Sequence, residues 1–137
     1  MRKYLQYTLF ALLASTSFTA CKKDTVAAEI KLSNQMISDK TWYLDYSVTG
    51  AKTKTYIGQS TYFINFLKNL TTQDSDGLTG TYSVEKIGSQ LQIHVQANTG
   101  SGNKVEYIYN VESVGSKNLI LSYTINAVQT RLYYSSK

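Results

Sequence analysis

The chain has 137 residues and a mass of 15.4 kDa, with 14 Lys and Arg against 9 Asp and Glu, no Pro, one Cys and one His. A single Cys and a single His exclude a Cys- or His-rich metal site, a disulfide framework and most Cys/His or Ser/His catalysis. Its length suits one domain with a core of its own and is short for two. At the N-terminus, Met1-Arg2-Lys3 is a basic start, Leu5 to Ala14 is mostly apolar, and small residues lead to Ala20. This pattern predicts an export signal over residues 1–20, because the apolar run falls well short of the ~20 residues of a membrane-spanning helix.

The only cysteine stands at the break. Phe18-Thr19-Ala20-Cys21 resembles the lipobox of bacterial lipoproteins, and Lys22-Lys23-Asp24 is similar to the start of many lipoproteins of the Bacteroidetes group. The resemblance implies cleavage before Cys21, lipidation of Cys21 and a cell-envelope location, in the outer membrane, held by acyl chains such as palmitate. Two or more chains give the stable anchoring that one does not, and Lys22 and Lys23 would meet anionic head groups.

Removing the signal leaves 12 basic side chains against 9 acidic ones, scattered along the chain. With no basic cluster, the pI of about 9.2 gives no ground for a nucleic-acid partner. Residues 21–32 mix charges and small side chains without a period and read as a tether. Ser33 is placed to cap a short helical turn through Asn34, Gln35, Met36 and Ile37.

From residue 41 the hydrophobic period becomes two. Trp42, Leu44, Tyr46 and Val48 alternate with Tyr43, Asp45 and Ser47. The same rhythm runs through Leu91–Val95, Val105–Val111, Leu119–Ile125 and Val128–Tyr134. Gly or Asn marks the breaks, at Gly50, Gly77, Gly88, Asn98 to Asn103, Gly115 to Asn118, and Asn126. Short half-buried strands with regular turn signals, and no helix between them, predict an antiparallel up-and-down meander over 33–137 that closes as a barrel or sandwich. Residues 61–67 are apolar on both faces, which leaves the register of 54–73 open, with Lys68-Asn69 as a hairpin turn.

Several segments in order are similar to the small lipocalin-like domains of Bacteroidetes lipoproteins. They are Trp42-Tyr43-Leu44, Tyr62 to Phe66, Gly80 to Val84, Leu91-Gln92-Ile93, Leu119 to Tyr123 and Arg131 to Tyr134. The resemblance covers about 41–137 and implies an all-β lipocalin-like barrel of about eight strands. The Gly-x-Trp opening of true lipocalins has Lys40 at its glycine position.

Two structural expectations follow. Trp42 on the first strand and Arg131 on the last are placed to form a cation–π latch where the barrel closes. Trp42, Tyr46, Tyr107, Tyr109, Tyr123 and Tyr134 face inward, where they either line a cavity for an amphipathic or aromatic ligand or pack a filled core. Tyr43, Phe63 and Tyr133 form an outer aromatic face, suited to another envelope protein. Asp74-Ser75-Asp76-Gly77 lacks the carboxylates of a calcium loop and reads as a turn. His94 lies among Gln92 and Gln96 on a polar face, and no two carboxylates share a hydrolytic spacing. The expectation is binding, with no catalytic residue, metal or cofactor. Mass spectrometry of the chain recovered from its own cell is expected to show an N-terminus at Cys21 bearing acyl groups.

Overall fold

The structure, a computed structural model, describes residues 23–99 and 102–137; residues 1–20, where an export signal is expected, Cys21 and Lys22 lie outside the described residues. A helix, α1, runs through residues 23–37. Good helix formers (Ala27, Ala28, Glu29, Lys31, Leu32) and the absence of Gly and Pro favour it. Ile30, Ser33, Asn34 and Ile37, spaced three, four and seven apart, form its inner face. The tether expected over 21–32 is therefore corrected: its described part is helical, and Ser33 is buried inside the helix instead of capping it. Two of the four inner positions are polar, which hid the period. The helix stops at Asp39, whose φ of 59° turns the chain into the first strand.

Nine strands follow: β1 Lys40–Thr49, β2 Lys52–Thr55, β3 Phe63–Phe66, β4 Thr71–Asp74, β5 Thr79–Ile87, β6 Gln90–Asn98, β7 Lys104–Val114, β8 Asn118–Ile125 and β9 Val128–Ser136. All pair antiparallel with their neighbours. β2 lies along the late half of β1 and β3 along the early half, on the same edge. They share the place of one strand, interrupted by residues 56–62, and β1 pairs with β9, so the sheet closes as an eight-stranded barrel. The all-β meander expected from the alternation is observed, closed as the barrel that the lipocalin-like resemblance implied and not as a sandwich.

Side chains alternate across the wall as the period required, except where a strand carries an extra residue. Leu44 pairs with Tyr134 but Tyr46 pairs with Tyr133, so Asp45 is a β-bulge. The extra residue reverses the alternation of β1. Before it Trp42 and Leu44 point inward; after it Ser47 and Thr49 do, opposite Leu132 and Thr130. The Thr49 and Thr130 hydroxyls meet at 2.9 Å. A second bulge at Glu112 lets Val111 and Val114 both face the core.

The core fills the half of the barrel nearest α1. Ile37, Trp42, Phe66, Ile93, Leu119 and Leu121 have no accessible surface, and Trp42 donates its indole N–H to the Ile37 carbonyl at 2.8 Å. Tyr82 packs edge-on against Phe66 and donates its hydroxyl to Asn34 Oδ1 and the Leu67 carbonyl. A Cβ on Gly80 would lie 2.0 Å from the Gln96 carbonyl oxygen, so only glycine lets β5 approach β6 there.

The β8–β9 hairpin turns on Asn126 and Ala127, with φ of 51° and 63°, between the paired Ile125 and Val128. Both residues of such a two-residue turn need positive φ, and alanine resists it. Ala127→Gly is expected to raise the unfolding free energy by about 0.5–1 kcal/mol, read as a higher urea midpoint at unchanged slope; an equal or lower midpoint would contradict the turn assignment.

Candidate functional site

The two ends of the barrel differ. α1 closes one, whereas tyrosines gather at the other. The β7–β8 ladder runs from Val114↔Leu119 to Asn110↔Ser122 and stops there. Beyond that point Lys104 to Tyr109 is paired only with β6, and Tyr123 to Ile125 only with β9. The two strands part, and the wall has a lateral slot.

A cavity of about 500 Å³ occupies the slot, lined by Tyr107, Ile108, Tyr109, Tyr123, Ile125 and Leu132 among others. A second cavity of about 180 Å³ lies deeper, toward Ile64, Thr72, Asp74, Leu78 and Val95. Tyr107 and Tyr109 line both. The Tyr107 and Tyr109 rings are near-parallel with centroids 6.3 Å apart, and Tyr123 meets Tyr109 edge-on at 6.0 Å. Tyr134, inward on β9, packs against the core beneath them.

The electrostatics favour neutral phenols. Burial pushes the Tyr109 hydroxyl far above the ordinary phenol value, with Tyr107, Tyr123 and Asp74 adding to the shift. Burial does the same to Tyr134, with Tyr109, Tyr123 and Asp74 contributing. Asp74 Oδ1 accepts the backbone N–H groups of Asp76 and Leu78, both at 3.0 Å, which fixes the turn at the rim. No Lys, Arg or His side chain lines either cavity. Chemically, the arrangement offers aromatic faces, aliphatic walls, and phenol hydroxyls able to donate or accept one hydrogen bond each.

Of the six residues expected to line a ligand cavity, Tyr107, Tyr109 and Tyr123 do so, and Tyr134 lies inward beneath them, packed against the core without lining either cavity. The other two lie elsewhere. Trp42 is sealed in the core below α1, its N–H already bonded. Tyr46 is turned outward by the Asp45 bulge and stacks on Tyr133 with ring centroids 4.2 Å apart. The expected latch is also corrected. Trp42 sits opposite Ser136 while Arg131 sits opposite Val48, and Lys40, not Arg131, lies over the indole at 5.3 Å. Arg131 instead pairs with Glu112 at 2.9 Å on the outer wall, reaching across β8 above the small, buried Ser122. Of the outer aromatic face, Tyr43 and Phe63 are cross-strand neighbours, and Tyr133 stands farther along with Tyr46.

Among the described residues no group of three or more His, Cys, Asp or Glu is placed to hold a metal. His94 faces outward, with Nε2 3.2 Å from Gln92 Oε1 and Nδ1 3.7 Å from Glu106. Sequence reasoning passed over Ile125 and Leu132 as ligand-facing positions, although their inward parity was plain. The slot that exposes them arises where a ladder ends, and no residue type marks that point. Comparison with protein-family models, with curated proteins and with solved structures gives no match.

A buried phenol with a raised value keeps its proton in the fold after the unfolded chain has released it. Its stabilising contribution is whole below the ordinary value of 10.0 and is lost as the pH climbs toward the raised values. Urea unfolding is therefore expected to show stability falling above about pH 10, by roughly 1.4 kcal/mol per pH unit for each such group. Tyr109→Phe and Tyr134→Phe should each make the fall shallower; an unchanged slope in both would show that these phenols titrate normally.

Proposed function

We propose that this protein is a lipid-anchored envelope binding protein of lipocalin-like type. In this reading Cys21 carries the anchor, and the tyrosine end of the barrel takes a small amphipathic or aromatic ligand. The observation that carries the reading is the cavity of about 500 Å³ in the β7–β8 slot, within the size range of small-molecule pockets and walled by aromatic and aliphatic side chains. A ligand would stack on Tyr107, Tyr109 and Tyr123, lay its apolar part against Ile125 and Leu132, and hydrogen-bond to a phenol. The absence of lining cations argues against an anionic head as the recognised group. The carboxylates at the cavities are Asp74 and Asp76 beside the smaller one and Glu106 beside the slot, and Asp74 is engaged by the backbone of its own turn, so the proposal is binding without chemistry.

A second reading has support on the outer wall. Tyr43, Tyr46, Phe63 and Tyr133 place four aromatic rings on one outer face, with Tyr46 and Tyr133 stacked. Such a face suits a protein-interaction module of an envelope assembly.

The test uses N-phenyl-1-naphthylamine, a neutral aromatic amphiphile whose fluorescence rises in apolar sites. One saturable site is expected. Tyr109→Ala and Tyr123→Ala should weaken it at least tenfold, about 1.4 kcal/mol, while Tyr46→Ala, outside the barrel, leaves it unchanged. Absence of saturable binding, together with a protein partner recovered by native mass spectrometry that Tyr46→Ala releases, would overturn the carrier reading in favour of the module.

A further inference from the structure

We infer that the α1-capped end of the barrel is a docking surface for an anionic lipid bilayer, which directs the tyrosine end away from the membrane. The surface consists of α1 and three turns: 67–70 between β3 and β4, 88–89 between β5 and β6, and 115–117 between β7 and β8. Contacts tie these segments to one end. Lys40 Nζ donates to the Ser116 carbonyl at 2.7 Å, Lys68 pairs with Asp39 just after the helix, and Lys86 pairs with Glu29 on it.

Two properties of this end point to a bilayer. The first is apolar exposure. Leu32 on α1 is 53% exposed, Leu67 and Leu70 in the first turn 43% each, and Ile87 beside the second turn 55%. Side chains of this size standing out at one end of a barrel mark a surface that meets something apolar. The second is charge. Lys23, Lys31, Lys40, Lys68, Lys86 and Lys117 stand here against Asp24, Glu29 and Asp39, and two of those three carboxylates are already paired with lysines of the same surface. Lysines ringing exposed leucine and isoleucine match the layered chemistry of an anionic interface, phosphates outside and acyl chains within.

The opposite end also exposes apolar groups, Ile108, Ile125 and Val128, but lacks the charge. Its lysines, Lys52 and Lys104, are offset by Asp74, Asp76 and Glu106. Charge complementarity therefore selects the α1 end. The inference uses neither the cavity nor acylation of Cys21.

Co-sedimentation tests it with the chain from Lys22 onward, which contains the whole described fold and no acyl group. Vesicles of phosphatidylcholine with 30% phosphatidylglycerol are compared with pure phosphatidylcholine. Binding is expected to be at least tenfold tighter to the anionic vesicles and to weaken as salt rises. Lys31→Gln with Lys117→Gln, and separately Leu32→Ser with Ile87→Ser, should each reduce it several-fold; Lys52→Gln with Lys104→Gln should not. Circular dichroism and the urea midpoint confirm that each variant remains folded. Equal binding to both vesicles, or equal loss in the Lys52/Lys104 control, would overturn the inference. So would a lipid-free dimer, detected by sedimentation, that Leu32→Ser dissociates. Failure here leaves the dye-binding test untouched, because the dye site lies at the other end.

Discussion

The pairing of the first strand with the last is the constraint on which the molecule depends. Seven register pairs between β1 and β9 turn a meander into a tube. They remove the two free edges that an open sheet of this length would present to other chains. The pairing also fixes which side chains share the interior, and it does so across the Asp45 bulge. Without the bulge, the parity set by Trp42 would carry Tyr46 and Val48 inward, opposite Leu132 and Thr130, in place of Ser47 and Thr49. The bulge reconciles a tightly packed lower half with an upper half whose inward residues on β1 are the small, polar Ser47 and Thr49.

That asymmetry continues through the whole interior. Near α1 the volume is taken up by Trp42, Phe66, Ile93, Leu119 and Leu121, with the helix pressing Ile30 and Ile37 onto them. At the far end the inward positions hold tyrosines, threonines and a turn built on Asp74, which are poorer at filling space because their polar atoms need partners or water. A barrel packed uniformly with aliphatic residues would have no room for a guest. Here one strand order produces both a sealed floor and a roomy top, and the division falls where the β7–β8 ladder ends.

The barrel was legible in the sequence because five strands alternate cleanly, with turn residues between them. The strand made of β2 and β3 was not: it is broken by residues 56–62 and apolar on both faces, and Asn65 on its outer side holds a buried Oδ1 with no partner. The helix was hidden because Ser33 and Asn34 occupy half of its inner face. The three cavity tyrosines, Tyr107, Tyr109 and Tyr123, were readable from parity alone. Tyr46 was misplaced because a bulge leaves no mark in residue type, and the Trp42–Arg131 latch failed because the antiparallel register sets Ser136 opposite Trp42 and Arg131 opposite Val48, well up the barrel from the indole. Parity tells which face a side chain takes; it does not tell the register, how far along the neighbouring strand that side chain lands.

The parted strands have a kinetic consequence. In a fully laddered tube, admitting a guest through the wall means breaking main-chain bonds and fraying a cooperative sheet. Between the upper parts of β7 and β8 there is no such ladder to break. A ligand of the proposed kind entering there would meet the Tyr109 and Tyr123 rings, and their rotation is a side-chain rearrangement that leaves the backbone and the sealed floor undisturbed. On the proposed reading, exchange of a ligand would leave the barrel folded throughout.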